Sequence, residues 1–331
     1  MKGKIGLEEH FAIDDTVMDS KGFFPEDIWK EVRERVLDLH GRRLKLMDEF
    51  GIEMMILSLN APAVQAIHDV KRADEIARKA NDYLAEQVRK RPDRFQALAA
   101  LPLQDPELAA KELQRCVNEL GMVGALANGY SQIGDPNTIA YYDQKQYWPF
   151  WKVVEELDVP FYLHPRDPLP QHAKIYEGQE WLLGPTWAFG QETAVHALRL
   201  MGSGLFDQYP KLQIILGHMG ENLPYGMWRV DNTNGWIPNR HKYAAKKKKN
   251  LASYFQNNFH ITVSGNFNLP SLLNAMMVIG SDRIMFSTDW PFENIDHAAK
   301  WFDAVPISEN DRLKIGRSNA QKLFKLPGAP R

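Results

Sequence analysis

KIGLEEHFAI, residues 4–13, opens the chain with a short apolar run that stops at Glu8, Glu9 and His10. Two carboxylates and an imidazole are costly to bury without partners, so the reading of this stretch turns on whether similar residues end similar runs elsewhere. They do. Apolar segments recur as KIGLE (4–8), EMMILSL (53–59), FQALAAL (95–101), MVGALAN (122–128), VPFYLH (159–164), LQIILGH (212–218), FHITVS (259–264) and RIMFSTD (283–289). Most are continuous rather than alternating, the pattern of parallel strands covered on both faces. Amphipathic segments fill the gaps. RRLKLMDEFG (42–51) ends on a glycine stop, DEIARKANDYLAEQVRKR (74–91) keeps helical spacing, and DPELAAKELQRCVNELG (105–121) opens on Asp-Pro and stops at Gly121. Eight strands alternating with helices, with no break in composition, predict an α/β fold: one (β/α)8 TIM barrel spanning residues 1–331 as a single domain.

The remaining composition narrows the function classes. With 44% hydrophobic and 25% charged residues the sequence reads as globular, and a net charge of -2 gives no reason to expect nucleic acid or an anionic membrane as partner. No apolar run approaches the roughly 20 residues that span a bilayer. The lone Cys116 rules out an internal disulfide and suits a reducing compartment, so a cytoplasmic location is expected. Its setting in LQRCVNEL marks a buried structural thiol rather than a nucleophile. The run AAKKKKN (244–250) reads as a solvated loop.

Long strand-to-helix connections follow strand 1 (9–41), strand 5 (165–190) and strand 6 (219 to about 256). In this fold they lie on the C-terminal face, where active sites are built, so they read as lids and pocket walls. The residues ending the strands converge on the same mouth: Glu8 and His10, Asn128, His164, His218 and Asp289. Two apart on an extended segment, Glu8 and His10 share a side, whereas Glu9 points away and receives no catalytic role. Imidazole with carboxylate is a donor set for a divalent first-row ion, Zn2+ or Mn2+. Singly, each has a plainer reading: a core histidine at His164, a turn at Asp289, a surface strand end at Glu8 and His10. Within HMGEN (218–222), Glu221 at i+3 can orient His218 and raise its basicity, or simply favour a helix N-terminus.

LEEH (7–10), YLHP (162–165), LGHMGE (216–221) and FSTDWPFE (286–293), in this order over almost the whole chain, resemble the amidohydrolase-superfamily decarboxylases related to aminocarboxymuconate semialdehyde decarboxylase. The resemblance implies a distorted barrel of the amidohydrolase type holding one divalent metal, Zn2+ or Mn2+, through Glu8, His10, His164 and Asp289. It implies reversible, non-oxidative decarboxylation of an ortho-hydroxybenzoate, with 2,6-dihydroxybenzoate the expected substrate, and a homo-oligomer, a dimer or tetramer. By analogy Asp289 donates the proton to the ring carbon and His218 with Glu221 assists. Phe23 would line the aromatic pocket, Asn128 and His164 would contribute to substrate binding, and Arg229 would serve a neighbouring subunit's site or the interface. Phe189 and Phe292 are further wall candidates. Many hydrolases of the superfamily open with His-x-His and carry a lysine at the end of strand 4. Here Glu8-x-His10 and Asn128 stand in those places, so one metal rather than two is expected. A metal-dependent hydrolase of an ester, lactone or amide is the alternative activity, and a non-catalytic metal-bound barrel is a second one. The aromatic loop after strand 6, with Trp228 and Trp236, fits either a subunit contact or internal packing.

Overall fold

The computed structural model describes residues 1–236 and 246–328. Eight strands form one parallel sheet: β1 (Lys4–Phe11), β2 (Ile52–Leu59), β3 (Phe95–Ala100), β4 (Gly124–Asn128), β5 (Phe161–His164), β6 (Ile214–Leu216), β7 (Phe259–Thr262) and β8 (Ile284–Met285). They pair in chain order, and β8 returns to β1 through a Leu7–Ser287 bridge and the Leu7 N–H donating to the Phe286 carbonyl at 3.2 Å. The sheet is therefore a barrel of the expected class. Asp69 and Asp105 cap their helices, Val70–Lys90 and Pro106–Asn118, by accepting N–H groups of the first turn.

Alternation along the strands sorts side chains into two cores. Leu7, Ile56, Leu98, Leu126, Tyr162, Ile215 and Met285 meet inside the barrel. Their neighbours Leu57, Ala97, Ala125, Leu163, Ile214 and Ile261 face the helices. The same period of two lifts Asn128 and His164 into the interior one layer above Leu126 and Tyr162. Those two residues pair directly in register.

Strand β1 departs from simple alternation. With Ile5 and Leu7 inside, plain alternation would also turn Glu9 inward and leave Glu8 and His10 outside. The register slips between Gly6, opposite Met55, and Glu9, opposite Leu57, so one extra residue is inserted. Glu8 takes a left-handed conformation, φ 55°. This bulge inverts the pattern and brings Leu7, Glu8 and His10 to one side.

The long connections carry more helix than the sequence reading gave them. The first contains a 3-10 turn, Val17–Phe23, and a helix, Glu26–Leu37. That after β5 holds four short 3-10 turns, and that after β6 holds helices Leu223–Trp236 and Leu251–Asn258. In the run AAKKKKN, Ala244 and Ala245 lie outside the described residues, while Lys246, Lys248 and Lys249 are exposed. The side chain of Trp236 also lies outside the described set. Cys116 is buried, and burial together with Glu112 pushes its thiol pKa well above the ordinary thiol value, which suits a structural role. Among the described residues no helix is long and apolar enough to cross a membrane.

Two buried histidines away from the strand ends set an acid limit on stability. His196 accepts the Tyr142 N–H at 3.1 Å, and His260 pairs with Gln213 at 3.1 Å. Burial first, then Arg199 beside His196 and Arg283 beside His260, lowers each to a pKa of about 3 from 6.5. Their folded values lie below the unfolded one, so the unfolded chain takes up protons first. The stability they confer is present above about pH 6.5 and is lost as pH falls toward 3, roughly 2 kcal/mol per histidine by pH 5. Urea unfolding at pH 7 and pH 5 checks this. His196→Gln, which keeps an acceptor for Tyr142, is expected to flatten the pH dependence, and a slope as steep as the parent's would contradict the assignment.

Candidate metal centre and active site

The barrel mouth gathers the strand-end residues. Glu8, His10 and His164 each offer a ligand atom within 4.8 Å of the others, and Glu8, His218 and Asp289 do the same. The two groups share Glu8. His164 Nε2 lies 3.4 Å and His218 Nε2 3.7 Å from Glu8 Oε1, while His10 Nε2 and His218 Nε2 each lie 3.6 Å from an Asp289 oxygen. These separations exceed hydrogen-bond length yet converge on one point.

The surrounding residues leave one atom of each key ligand free. Glu8 Oε2 accepts from the Tyr162 hydroxyl and from Thr262 Oγ1, whereas Glu8 Oε1 is buried without a hydrogen-bond partner among the described residues. His10 Nδ1 is engaged by Ser58 at 3.2 Å, and its buried Nε2 is likewise without one. Buried polar atoms are rarely left this way. A carboxylate oxygen and an imidazole nitrogen aimed at the same small volume fit a divalent cation, and partners on the far side of each ligand are the usual support of such a site.

Charge around the centre is strongly redistributed. Burial raises the pKa of Glu8 against the opposing pull of His218. Burial, followed by His10 and His218, drives that of His164 well below the ordinary imidazole range. Neutral imidazole is the form that ligates a metal. His218 goes the other way: burial opposes its charge, but Glu221 and Glu8 override it and hold its pKa well above the usual value. Asp289 resists burial through the imidazoles of His10 and His218 that face it at 3.6 Å, which keep its carboxyl well below the usual range.

His218 and Glu221 are joined at 2.7 Å between Nδ1 and Oε1. The turn that joins them is not a right-handed helix. His218, Met219, Gly220, Glu221 and Asn222 all have positive φ, from 49° to 81°. Asp289 is left-handed too, at φ 63°. Such positions cost about 1–2 kcal/mol each for residues other than glycine, and they persist where surrounding contacts fix them. Glu8, His218 and Asp289 all carry this strain at one place.

A small cavity opens over this cluster, walled by Phe23, Phe24, Phe189 and Phe292 and floored by His164, His218 and Asp289. Phe23 and Phe189 meet edge to face at 5.4 Å, and Phe292 lies 5.3 Å from the His10 ring. Sequence reasoning missed Ser20, Ala61, Pro165 and Pro185 on the same wall. It also missed Tyr162, Thr262 and Ser58, whose hydroxyls hold the ligands. Asn128 is buried just behind: its amide donates to the Asn60 carbonyl at 3.0 Å, and its Oδ1 has no partner among the described residues. Arg229 is exposed on the helix after β6 and does not line the cavity. Trp228, on the same helix, is also exposed. A larger, open surface cleft is lined by Met1, Phe50 and Arg94 and contains none of the strand-end ligands.

Barrel, mixed carboxylate–imidazole cluster and motif order agree with one class. The chain belongs to the amidohydrolase family, whose family model matches residues 23–326. Its similarity places it, within that family, among the γ-resorcylate decarboxylases. It is 67% identical over 326 residues to the γ-resorcylate decarboxylase of Polaromonas sp. (strain JS666), covering 98% of this chain and 99% of the relative. A crystal structure of 2,6-dihydroxybenzoate decarboxylase complexed with 2,6-dihydroxybenzoate superposes with a TM-score of 0.96 at 66% identity, covering 98% and 100% of the two chains. A Polaromonas sp. JS666 dihydroxybenzoic acid decarboxylase structure, with bound manganese and the inhibitor 2-nitroresorcinol, gives 0.96 at 66% identity, with 99% and 98% covered.

Proposed function

We propose that the chain catalyses metal-dependent, reversible decarboxylation of 2,6-dihydroxybenzoate to resorcinol and CO2. The observation that carries this is the cluster of Glu8, His10, His164, His218 and Asp289 beneath an aromatic-walled cavity. It sits in a chain closely similar to an enzyme crystallised with that acid. Glu8, His10, His164 and Asp289 would hold the ion, Mn2+ or Zn2+, with Mn2+ favoured by the manganese in the similar structure. When bound, the ion supplies positive charge that neutralises and orients an anionic phenolic acid.

Expelling CO2 directly would leave an aryl carbanion. Protonating the ring carbon that bears the carboxylate avoids it. Asp289 is ionised in the resting site, so it takes the proton of the substrate's ortho hydroxyl and passes it to that carbon. The phenolate electrons form the new C–H bond as the oxygen becomes a ketone. The C–C bond to the carboxylate then breaks, and its electron pair restores the ring and the phenolate. His218, steadied by Glu221, returns a proton to that oxygen. Asn128 offers its free Oδ1 to a substrate hydroxyl, and Phe23, Phe189 and Phe292 stack around the ring. Arg229, outside the cavity of its own chain, acts in this proposal from a neighbouring subunit of a dimer or tetramer.

The purified, metal-analysed protein incubated with 2,6-dihydroxybenzoate, 2,3-dihydroxybenzoate and salicylate tests this. CO2 and resorcinol from the first acid are the expected products. No CO2 from any of the three, or turnover of an ester or amide instead, would replace the proposal with a hydrolase.

A further inference from the structure

We infer that Glu9, which faces away from the metal centre, is the positioning residue that fixes Asp289 in its working conformation. The inference rests on Asp289 acting as ligand and proton carrier, as proposed above. The Glu9 side chain is fully buried and spans the gap between β1 and the end of β8. Its Oε1 accepts the Thr288 N–H at 2.8 Å and lies 3.4 Å from Ser287 Oγ. Its Oε2 accepts the Thr288 hydroxyl and the Trp290 N–H, the latter at 3.3 Å.

These contacts bracket Asp289 on both sides while leaving its own side chain free. One carboxylate drawing in the N–H groups of residues 288 and 290 makes a nest, an anion-binding concavity of the backbone. Closing it requires the residue between to turn, and Asp289 is the left-handed one, φ 63°. The His10 N–H completes the clamp by donating to the Trp290 carbonyl at 2.6 Å. Adjacent residues of β1 thus share the work: His10 faces the ion, and Glu9 holds the loop that presents the opposing carboxylate.

Room for this carboxylate is built in. A Cβ on Gly6 would lie 2.5 Å from Glu9 Oε1, so the small residue at position 6 leaves the space the clamp occupies. Behind it Arg43, also fully buried, donates to the His10 carbonyl and supplies positive charge near Glu9. The bulge at Glu8 serves both sides, since only a shifted register lets Glu8 and His10 face inward while Glu9 reaches β8.

The test uses Mn2+-loaded Glu9→Gln. An amide presents a donor where Thr288 Oγ1 and the Trp290 N–H both donate, so the nest opens at one end. The expected result is a 10- to 100-fold fall in kcat with KM for 2,6-dihydroxybenzoate within threefold and about one Mn2+ per chain. The Mn2+ EPR spectrum should change as Asp289 shifts. Thr288→Val, nearly isosteric, removes the hydroxyl that donates to Glu9 Oε2 and shares the Trp290 N–H, but keeps the backbone ties to Glu9, and should lower kcat three- to tenfold at unchanged KM; it decides the matter where Glu9→Gln does not fold. Unchanged kcat and EPR spectrum in the folded variants would overturn the inference. So would a loss of activity that only tracks the loss of folded protein. A wild-type enzyme inert toward 2,6-dihydroxybenzoate would end the functional reading instead, with the EPR comparison still deciding the role of Glu9.

Discussion

Asp289→Asn is expected to lower kcat for 2,6-dihydroxybenzoate at least 1000-fold while the variant still binds metal, more weakly. Asn is close in size and keeps a carbonyl oxygen that can face the cluster, so the fold and part of the ligand set survive. It cannot take a proton from a phenol and hand it to carbon at neutral pH. The environment of Asp289 makes this the most sensitive position. The facing imidazoles of His10 and His218 outweigh burial and hold the carboxyl ionised in the resting site. The proton it delivers must therefore arrive with the substrate rather than be stored beforehand. Single-turnover measurement of CO2, together with the metal content of the variant, checks both halves of the prediction. A variant that retains more than a tenth of wild-type kcat would mean that the proton reaches the ring by another path, with His218 the nearest source.

How much of this was legible in the sequence differs from residue to residue. His164 and Asn128 were readable because β4 and β5 alternate regularly, and a residue at the end of such a strand must lie at the barrel mouth. Spacing puts Glu8 and His10 on one side, but for an incomplete reason. The interior positions of Ile5 and Leu7 contradict simple alternation, and only the bulge reconciles them. Nothing in LEEH announces a left-handed glutamate, because contacts from β8 and from Tyr162 impose it. The pairing of His218 with Glu221 follows from the i+3 spacing of a helical turn, but the turn that joins them is left-handed. Gly220 and Asn222 were the available hints, being the residue types that adopt this conformation most easily. The helix Glu26–Leu37 has a clear signal in the spacing of Trp29, Val32 and Val36, although it lies within a long strand-to-helix connection. Glu9 was out of reach for a different reason. Its partners at 287–290 lie some 280 positions away in sequence, next to it only once the barrel closes.

Removing the charge of Glu8 separates what the centre contributes to chemistry from what it costs the fold. Glu8→Gln is expected to reduce bound Mn2+ from about one per chain to less than a tenth and to abolish detectable turnover. The side chain is fully buried, and its Oε2 already holds Tyr162 and Thr262. A glutamine that keeps its oxygen on those two hydroxyls turns its NH2 toward His164 and His218, placing donors where a cation would sit. Stability should move in the opposite direction. An ionised carboxylate with a free oxygen in a dry interior is destabilising, as the upward shift of its pKa by burial indicates. The metal-free variant should therefore melt no lower than metal-free wild type. Adding Mn2+ at 100 times the wild-type Kd stabilises the wild type by about 2.7 kcal/mol, a rise of several degrees in Tm, and should leave Glu8→Gln unmoved. Thermal scans of both proteins with and without Mn2+ read all three outcomes. Equal thermal shifts in the two would show that the ion is held without Glu8, and the cluster at the barrel mouth would then need a different set of ligands.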